Sequence, residues 1–533
     1  MNQRPILLLL LFIGSSLSTE AQDLYYIYFT DKDTSQAFNP HAYFDERAIE
    51  RRLRHELPLY DEKDLPINTL YTDKIDTEVE LVRHQLRWFN AISVEAWPDQ
   101  IEKIKSFPFV KRIEAFTQHT RIAAWEEIAN EKLDTLLALG KAQTNFKELE
   151  EHGLTGKGAR IAIFDTGFKR ANEHEAFEHL RKDKQIVQTY DFYEGKEDVY
   201  HHDDHGTQVL SCIGGIYEGK QLGAAKDAEF LLARTEHKSK EKAIEEDHWL
   251  AAAEWADKHG ADIINSSLTY TSKRYEYEDM DGKKTLVSRA AKTATDKGIL
   301  VVVSMGNDGG NKWKYLGAPA DVAEVLSVGA SMPFMPARLK FSSFGPNASG
   351  VSKPDISAPG YVVVANGKGK YAEAAGTSFS APLICGFAAC LMQKNPAAKR
   401  KEIFEQVRQS GHYFPYYDYE LGYGVVNASK LFTQDSLIQN TFSVQQSSDS
   451  VFVAFNPELM KDSLDFPNGR MLYVHLEDKE AKLSASFQLP VENKARYFFY
   501  QRDPEFEGIM RIWFAGYLWE EKIEQLQNER SRP

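Results

Sequence analysis

Residues 160–167 read Arg-Ile-Ala-Ile-Phe-Asp-Thr-Gly, an unbroken apolar run that ends in a carboxylate and a turn pair. A continuous run, unlike an alternating one, predicts a strand covered on both faces, as in a parallel sheet with helices on either side. Working outward, similar short runs recur at Glu229–Ala233, Asp262–Ile264, Ile299–Val303 and Val325–Val328. Helix-like or turn-rich segments separate them. Residues 153–434 therefore read as a doubly wound α/β domain with a parallel sheet, and ~280 residues suffice for a large core.

Four elements at the ends of these runs carry chemistry. Ile161–Gly167 ends in Asp165. His205-Gly206-Thr207 opens an apolar helix. Val301–Asn307 ends a strand in an amide. Gly376–Pro382 is a small-residue turn that leads into a helix. Catalytic groups of doubly wound sheets gather beyond the carboxyl ends of the strands, so Asp165, His205, Asn307 and Ser378 can converge. Acyl transfer needs a hydroxyl nucleophile, an imidazole to take its proton, a carboxylate to hold the tautomer, and donors for the oxyanion. Each role has a candidate. Ser378 stands at a helix N-terminus where its own N–H faces the oxyanion, and Pro382 in the first turn costs little because its missing N–H would be unpaired there.

With these residues in view, the chain resembles the subtilisin-like serine peptidases. The order Asp, His, Ser is the subtilisin order. The blocks IAIFDTG, HGTQVLSCIGG, GAAKDAEFLLAR, ADIINSSL, VVVSMGNDGG, KPDISAPG, GTSFSAPLICG and GYGVVNA span Thr155 to Ala428 and follow the family's sequence of blocks. The resemblance implies a triad of Asp165, His205 and Ser378, with Asn307 as oxyanion donor. It also implies that substrate adds as a strand beside Ser266-Ser267-Leu268, with Ser267, Leu268, Thr269 and Gly306 as substrate-binding residues. Thr269 stands where the family usually has glycine, and Ser304-Met305 replaces smaller residues. Both departures are expected on the walls of the primary specificity pocket. The family's calcium loop carries an asparagine, whereas Ile216–Gln221 is short and has none. No calcium site and no cofactor are expected.

The flanks complete the organisation. Residues 1–22 combine Arg4, an apolar run from Ile6 to Ile13 and small residues before Gln22, which reads as a signal peptide rather than a ~20-residue span. Residues 23–117 mix strand-like Leu24–Phe29, Ile92–Ala96 and Val110–Ala115 with helix-like Tyr43–Arg54, Glu78–Arg87 and Asp99–Ser106, a small α/β unit that resembles the family's propeptide. Residues 118–152 are a polar, helix-prone connecting segment and the start of the mature enzyme, with processing expected between Phe116 and Lys132. Residues 435–533 alternate in period 2 at Val451–Phe455, Met471–Leu476, Leu483–Leu489, Tyr497–Tyr500 and Met510–Phe514, an all-β module.

Composition narrows the function. The chain of 533 residues is 42% hydrophobic and 27% charged, which suits globular domains. Its net charge of −14 argues against general affinity for nucleic acid or anionic membrane. The expected partners are polypeptide substrates and the chain's own propeptide as intramolecular inhibitor, with no transmembrane segment and a monomeric state. The expected product is a serine endopeptidase made as a self-processing precursor and exported to the periplasm, the cell surface or the medium. The rival reading is an inert scaffold of the same shape whose C-terminal module binds a protein or carbohydrate.

Three motifs have plainer readings. Asp165-Thr166-Gly167 also matches an aspartic-peptidase signature, but that chemistry needs a second such carboxylate and the chain has no second Asp-Thr-Gly or Asp-Ser-Gly. The run His201-His202-Asp203-Asp204-His205 looks like a metal cluster, yet sequence neighbours point apart, which favours a solvated loop leading to one histidine. Cys212, Cys385 and Cys390 read as buried thiols on apolar helices, with a bridge from Cys212 to one of the others as the alternative.

Overall fold

The computed structural model describes residues 23–34, 37–116, 127–128, 133–237, 244–271, 274–432, 440–447, 450–457, 471–479, 483–491, 497–501, 503 and 506–523. The expected signal peptide lies outside them, as does most of the expected processing region.

Residues 160–165 form the expected strand in the interior of a seven-stranded sheet. The order is Ile356–Pro359, Leu326–Ser331, Leu300–Ser304, Ile263–Ser266, Arg160–Asp165, Glu229–Arg234, Ile186–Asp191, and every pairing is parallel. Strand order reverses at Arg160–Asp165, the switch point where doubly wound folds place their ligands. Ile161 and Ile163 pack on one face with the helices His205–Gly214 and Thr377–Lys394. Ala162 and Phe164 pack on the other with Ile244–Lys258 and Leu286–Asp296. Burial on both faces is why the run does not alternate.

The N-terminal domain is a four-stranded antiparallel sheet in the order Leu81–Leu86, Ala91–Ala96, Asp23–Phe29, Val110–Phe116. Its first strand is buried on both faces with period 2: Tyr25, Ile27 and Phe29 enter the domain's own core. Tyr26 and Tyr28 enter the core shared with the catalytic domain. Two expectations are corrected here. Glu78–Arg87 is not a helix but the strand Leu81–Leu86, which leads through a tight turn with Asn90 in the left-handed region (φ 48°) into its partner strand. Ladder bonds to Ala91–Ala96 override the weak helical pattern. The helix expected over Tyr43–Arg54 breaks at Phe44-Asp45, where the Asp45 carboxylate caps a new start by accepting the Arg47 N–H.

The C-terminal module has two antiparallel sheets. One holds Phe442–Gln446, Ser450–Phe455 and Tyr497–Gln501; the other holds Leu483–Pro490, Met471–Asp478, Gly508–Phe514 and Tyr517–Ile523. It docks through Tyr473 and Trp513 against Tyr413, Tyr416 and Leu421 of the catalytic domain. The stretch Ile216–Gln221 closes as a hairpin with Glu218 and Gly219 at its turn. Cys212, Cys385 and Cys390 are buried free thiols. No helix of the described residues is long and apolar enough to cross a membrane.

Candidate active site

Asp165 ends the interior strand Arg160–Asp165 and is completely buried. Its Oδ1 accepts the Thr166 N–H at 2.8 Å. His205 opens its helix with Nδ1 at 2.9 and 3.1 Å from the two Asp165 oxygens. An ionised carboxylate only accepts, so Nδ1 carries the proton and Nε2 is the acceptor of the neutral ring. Burial alone would lower the imidazole's pKa; Asp165, helped by Asp203 and Asp204, outweighs it and holds the pKa raised.

Ser378 lies in the first turn of Thr377–Lys394, half-buried, and its Oγ donates to the Ser267 carbonyl at 3.3 Å. The rings of its neighbour Phe379 and of His205 are 5.5 Å apart. Asn307 is exposed, yet its amide is oriented. The Thr377 N–H and hydroxyl both meet its Oδ1 at 3.0 Å, and a backbone N–H can only donate, so Nδ2 faces the opposite way. Gly376 (φ 152°) locates the space between the donors. A Cβ placed on it would stand 3.6 Å from Asn307 Nδ2 and 3.7 Å from the Ser378 nitrogen. Two N–H donors therefore border one small volume beside the serine.

Thr377 is the residue that sequence reasoning passed over. Its hydroxyl also accepts the Gly306 N–H at 3.2 Å, tying the helix start to the strand end that carries Asn307. Ser267 Oγ donates to the Ser378 carbonyl at 2.8 Å and accepts from Asn265 Nδ2 at 3.2 Å. The signal for Thr377 lay in the GTS block, whose middle residue has both a backbone and a side-chain donor.

The pocket residues separate. Leu268 turns its side chain into the core. Thr269 is half-buried and stands between two glycines: its Oγ1 is 3.3 Å from a Cβ built on Gly306, and its Cβ is 3.2 Å from one built on Gly317. Ser304-Met305 was expected on the pocket wall. Met305 instead has no exposure and packs in the core, because it continues the alternation of Val301 and Val303 and joins them against the helices Ile244–Lys258 and Leu286–Asp296.

The residues of the run His201–His205 reach different partners, and Asp203 is buried rather than solvated. His201 pairs with Asp198, His202 with Glu194, Asp203 takes the Thr166 hydroxyl, and Asp204 accepts the Gly367 N–H. Asp191, Glu194 and His202 do face one another, but Arg234 Nη1 sits 2.7 Å from Asp191 and supplies the positive charge there.

A model of the subtilase family matches residues 156–424. The chain belongs to that family. This subtilase is a subtilisin-like serine protease with a propeptide domain, since residues 24–132 match the peptidase S8 propeptide domain of Bacteroidota. The propeptide match runs past Phe116 into the connecting segment. Among relatives, the alkaline protease of Alkalihalobacillus alcalophilus is 26% identical over 343 residues, 64% of this chain and 79% of that protein. Subtilisin Savinase of Lederbergia lenta is 29% identical over 260 residues, 48% of this chain and 85% of that protein. The solved structure of the epidermin leader peptide processing serine protease of Staphylococcus aureus superposes with a TM-score of 0.55 at 18% identity. It covers 78% of this chain and 99% of that one, and at that identity it speaks to fold alone.

Proposed function

We propose that Ser378, His205 and Asp165 form the triad of an exported endopeptidase that cuts its own precursor. The observation that carries this reading is the His205 Nδ1–Asp165 bond together with the two donors that flank the space beside Ser378. His205 Nε2 takes the Ser378 Oγ proton as Oγ attacks the scissile carbonyl carbon. The carbonyl oxygen, now negative, accepts from Asn307 Nδ2 and the Ser378 N–H. His205 then returns the proton to the leaving amine. Water, deprotonated by the same imidazole, hydrolyses the acyl-enzyme and frees Ser378.

Substrate is an extended polypeptide laid along Ser267–Thr269, with Gly306 on the other side. Thr269, wedged between Gly306 and Gly317, narrows the pocket for the side chain before the cut and favours small residues. Thr269→Gly should widen that preference toward large side chains, read from a library of peptides varied at that position. The N-terminal domain acts as intramolecular inhibitor until cleavage. The apolar leader sends the protein to the periplasm, the cell surface or the medium, where it works as a monomer.

The test follows purified precursor by mass with and without a serine-directed fluorophosphonate. Inhibitor-sensitive loss of ~12–16 kDa is expected for a cut in the polar connecting segment, since such segments are where nicking concentrates. The reagent should label wild type and spare Ser378→Ala. A precursor that stays intact and takes no label would move the reading to a binding scaffold.

A further inference from the structure

We propose that the N-terminal domain is not shed once the chain is cut, but stays bound as the second chain of the mature enzyme. The inference rests on the processing reading above. It comes from the helix Glu46–Arg54, whose sequence Glu-Arg-Ala-Ile-Glu-Arg-Arg-Leu-Arg looks like a solvated charge run. The fold contradicts that reading: Arg51 and Arg52 are 0% and 1% exposed.

Arg51 and Arg52 both pair with Asp257 of the catalytic domain, Arg52 at 2.7 Å. Arg51 also donates to the carbonyls of Ala261 and Lys297, the latter at 3.2 Å. Arg54 reaches Asp262 at 2.5 Å, and Arg47 reaches Asp262 at 3.0 Å and Glu229 at 2.8 Å. Charge crosses in the other direction as well: Lys297 of the catalytic domain binds Asp64 at 2.7 Å, and Arg160 binds Asp45 at 3.2 Å. Asp257, Ala261 and Lys297 lie at the C-terminal ends of the two helices on that face, which carry partial negative charge and unpaired carbonyls. Guanidinium groups from the N-terminal domain thus complete helix ends of the catalytic domain.

The surface beneath has the matching shape. Gly260 (φ +74°) and Gly298 (φ +85°) end those helices. A Cβ on Gly260 would fall 2.7 Å from Arg47 Cβ, and one on Gly298 would fall 2.9 Å from the His55 ring. The grip is also remote from the chemistry. Arg160 and Asp262 mark the amino ends of their strands and Asp165 the carboxyl end, about 16 Å away at ~3.3 Å per residue. An anchor there leaves the cleft free to open, and buried pairs of this kind are little weakened by salt.

The test separates retention from self-cleavage. A site-specific protease sequence is inserted between Gln118 and His119 in the Ser378→Ala protein, and the added protease makes the cut. After the cut, the N-terminal fragment should co-elute with the catalytic chain on gel filtration in 1 M salt. Arg51→Ala with Arg52→Ala should weaken the association by roughly 100-fold or more, because Asp257 loses both partners. A fragment that elutes alone from the protein without the arginine changes overturns the proposal, and that result requires no variant of the anchor to fold. In the same insertion with Ser378 intact, fluorophosphonate should label the co-eluting two-chain peak. Label confined to catalytic chains that have lost the fragment also overturns it. Absence of label from every peak instead strikes at the protease reading, while co-elution of the Ser378→Ala chains still decides this one.

Discussion

The two ends of the central sheet use the same residue type for opposite purposes. At the carboxyl end, Asp165 is buried and faces a histidine; at the amino end, Asp257 and Asp262 are buried and face arginines. An imidazole can give up its proton near neutral pH, so the Asp165 pair can move a proton. A guanidinium stays charged throughout, so the pairs at Asp257 and Asp262 can only hold. Chemistry and docking therefore sit toward opposite ends of one sheet without sharing a residue.

Substitutions should break that comparison in opposite directions. The largest effect on turnover is expected from Ser378→Ala: a loss of about 10⁶-fold, with the thermal midpoint unchanged. Its Oγ makes one long bond, to the Ser267 carbonyl, so little structure depends on it. A large fall in stability would mean that the carboxyl end also holds the fold.

Asp165→Asn comes next, with about 10⁴-fold lost because an amide no longer enforces the Nδ1–H tautomer. The sign of the pH effect follows from His205. The general base must be neutral, and its pKa is raised, so the acid limb of kcat/KM should lie above the ~6.5 of a free histidine, with activity rising with pH. The charged pair adds stability below that value and loses it as pH rises through the folded pKa. Asp165→Asn should move the limb down; a limb that stays in place in a pH–rate profile would detach Asp165 from His205's titration.

Asn307→Ala should cost roughly 100–1,000-fold in kcat with KM nearly constant. The variant also takes the shared acceptor from the Thr377 N–H and hydroxyl, so the kinetics are read beside a thermal melt that reports the fold. Wild-type turnover in this variant would remove Asn307 from the oxyanion site.

The smallest effect on turnover belongs to the other end. Asp257→Ala should leave active-site-titrated turnover within about 2-fold, as distant sites act independently. It should lower precursor stability by about 3–5 kcal/mol in urea melts, since Arg51 is left buried without its carboxylate and Arg52 keeps only Asp64 at 3.7 Å. A turnover loss comparable to that of Asn307→Ala would show the two ends to be coupled.

The candidate site was legible because each of its residues sits inside a local pattern: an apolar run that ends in Asp165, another that ends in Asn307, and helix starts at His205 and Ser378. Elements whose form depends on distant neighbours were harder to read. Ile186–Asp191 is a half-exposed edge strand with polar residues in it, and Ile356–Pro359 is short and ends in proline, so neither resembles the core runs. Glu78–Arg87 contains enough leucine and glutamate to suggest a helix, and only its pairing with Ala91–Ala96 makes it a strand. Met305 sits one residue from the site, yet the alternation of its strand turns it inward.

By itself, the sequence determined the class of sheet, the candidates for the acyl-transfer residues and the β character of the C-terminal module. Those follow from periodicity and from residue types at the ends of strands, which neighbours along the chain set. Only the tertiary structure decided that two of the four arginines in a helix, Arg51 and Arg52, would be buried rather than solvated, that Thr377 would orient Asn307, and that the N-terminal domain would complete two helices of the catalytic domain. A charged side chain is buried only when an opposite charge and free carbonyls meet it, and Asp257 lies more than 200 residues from Arg51 and Arg52.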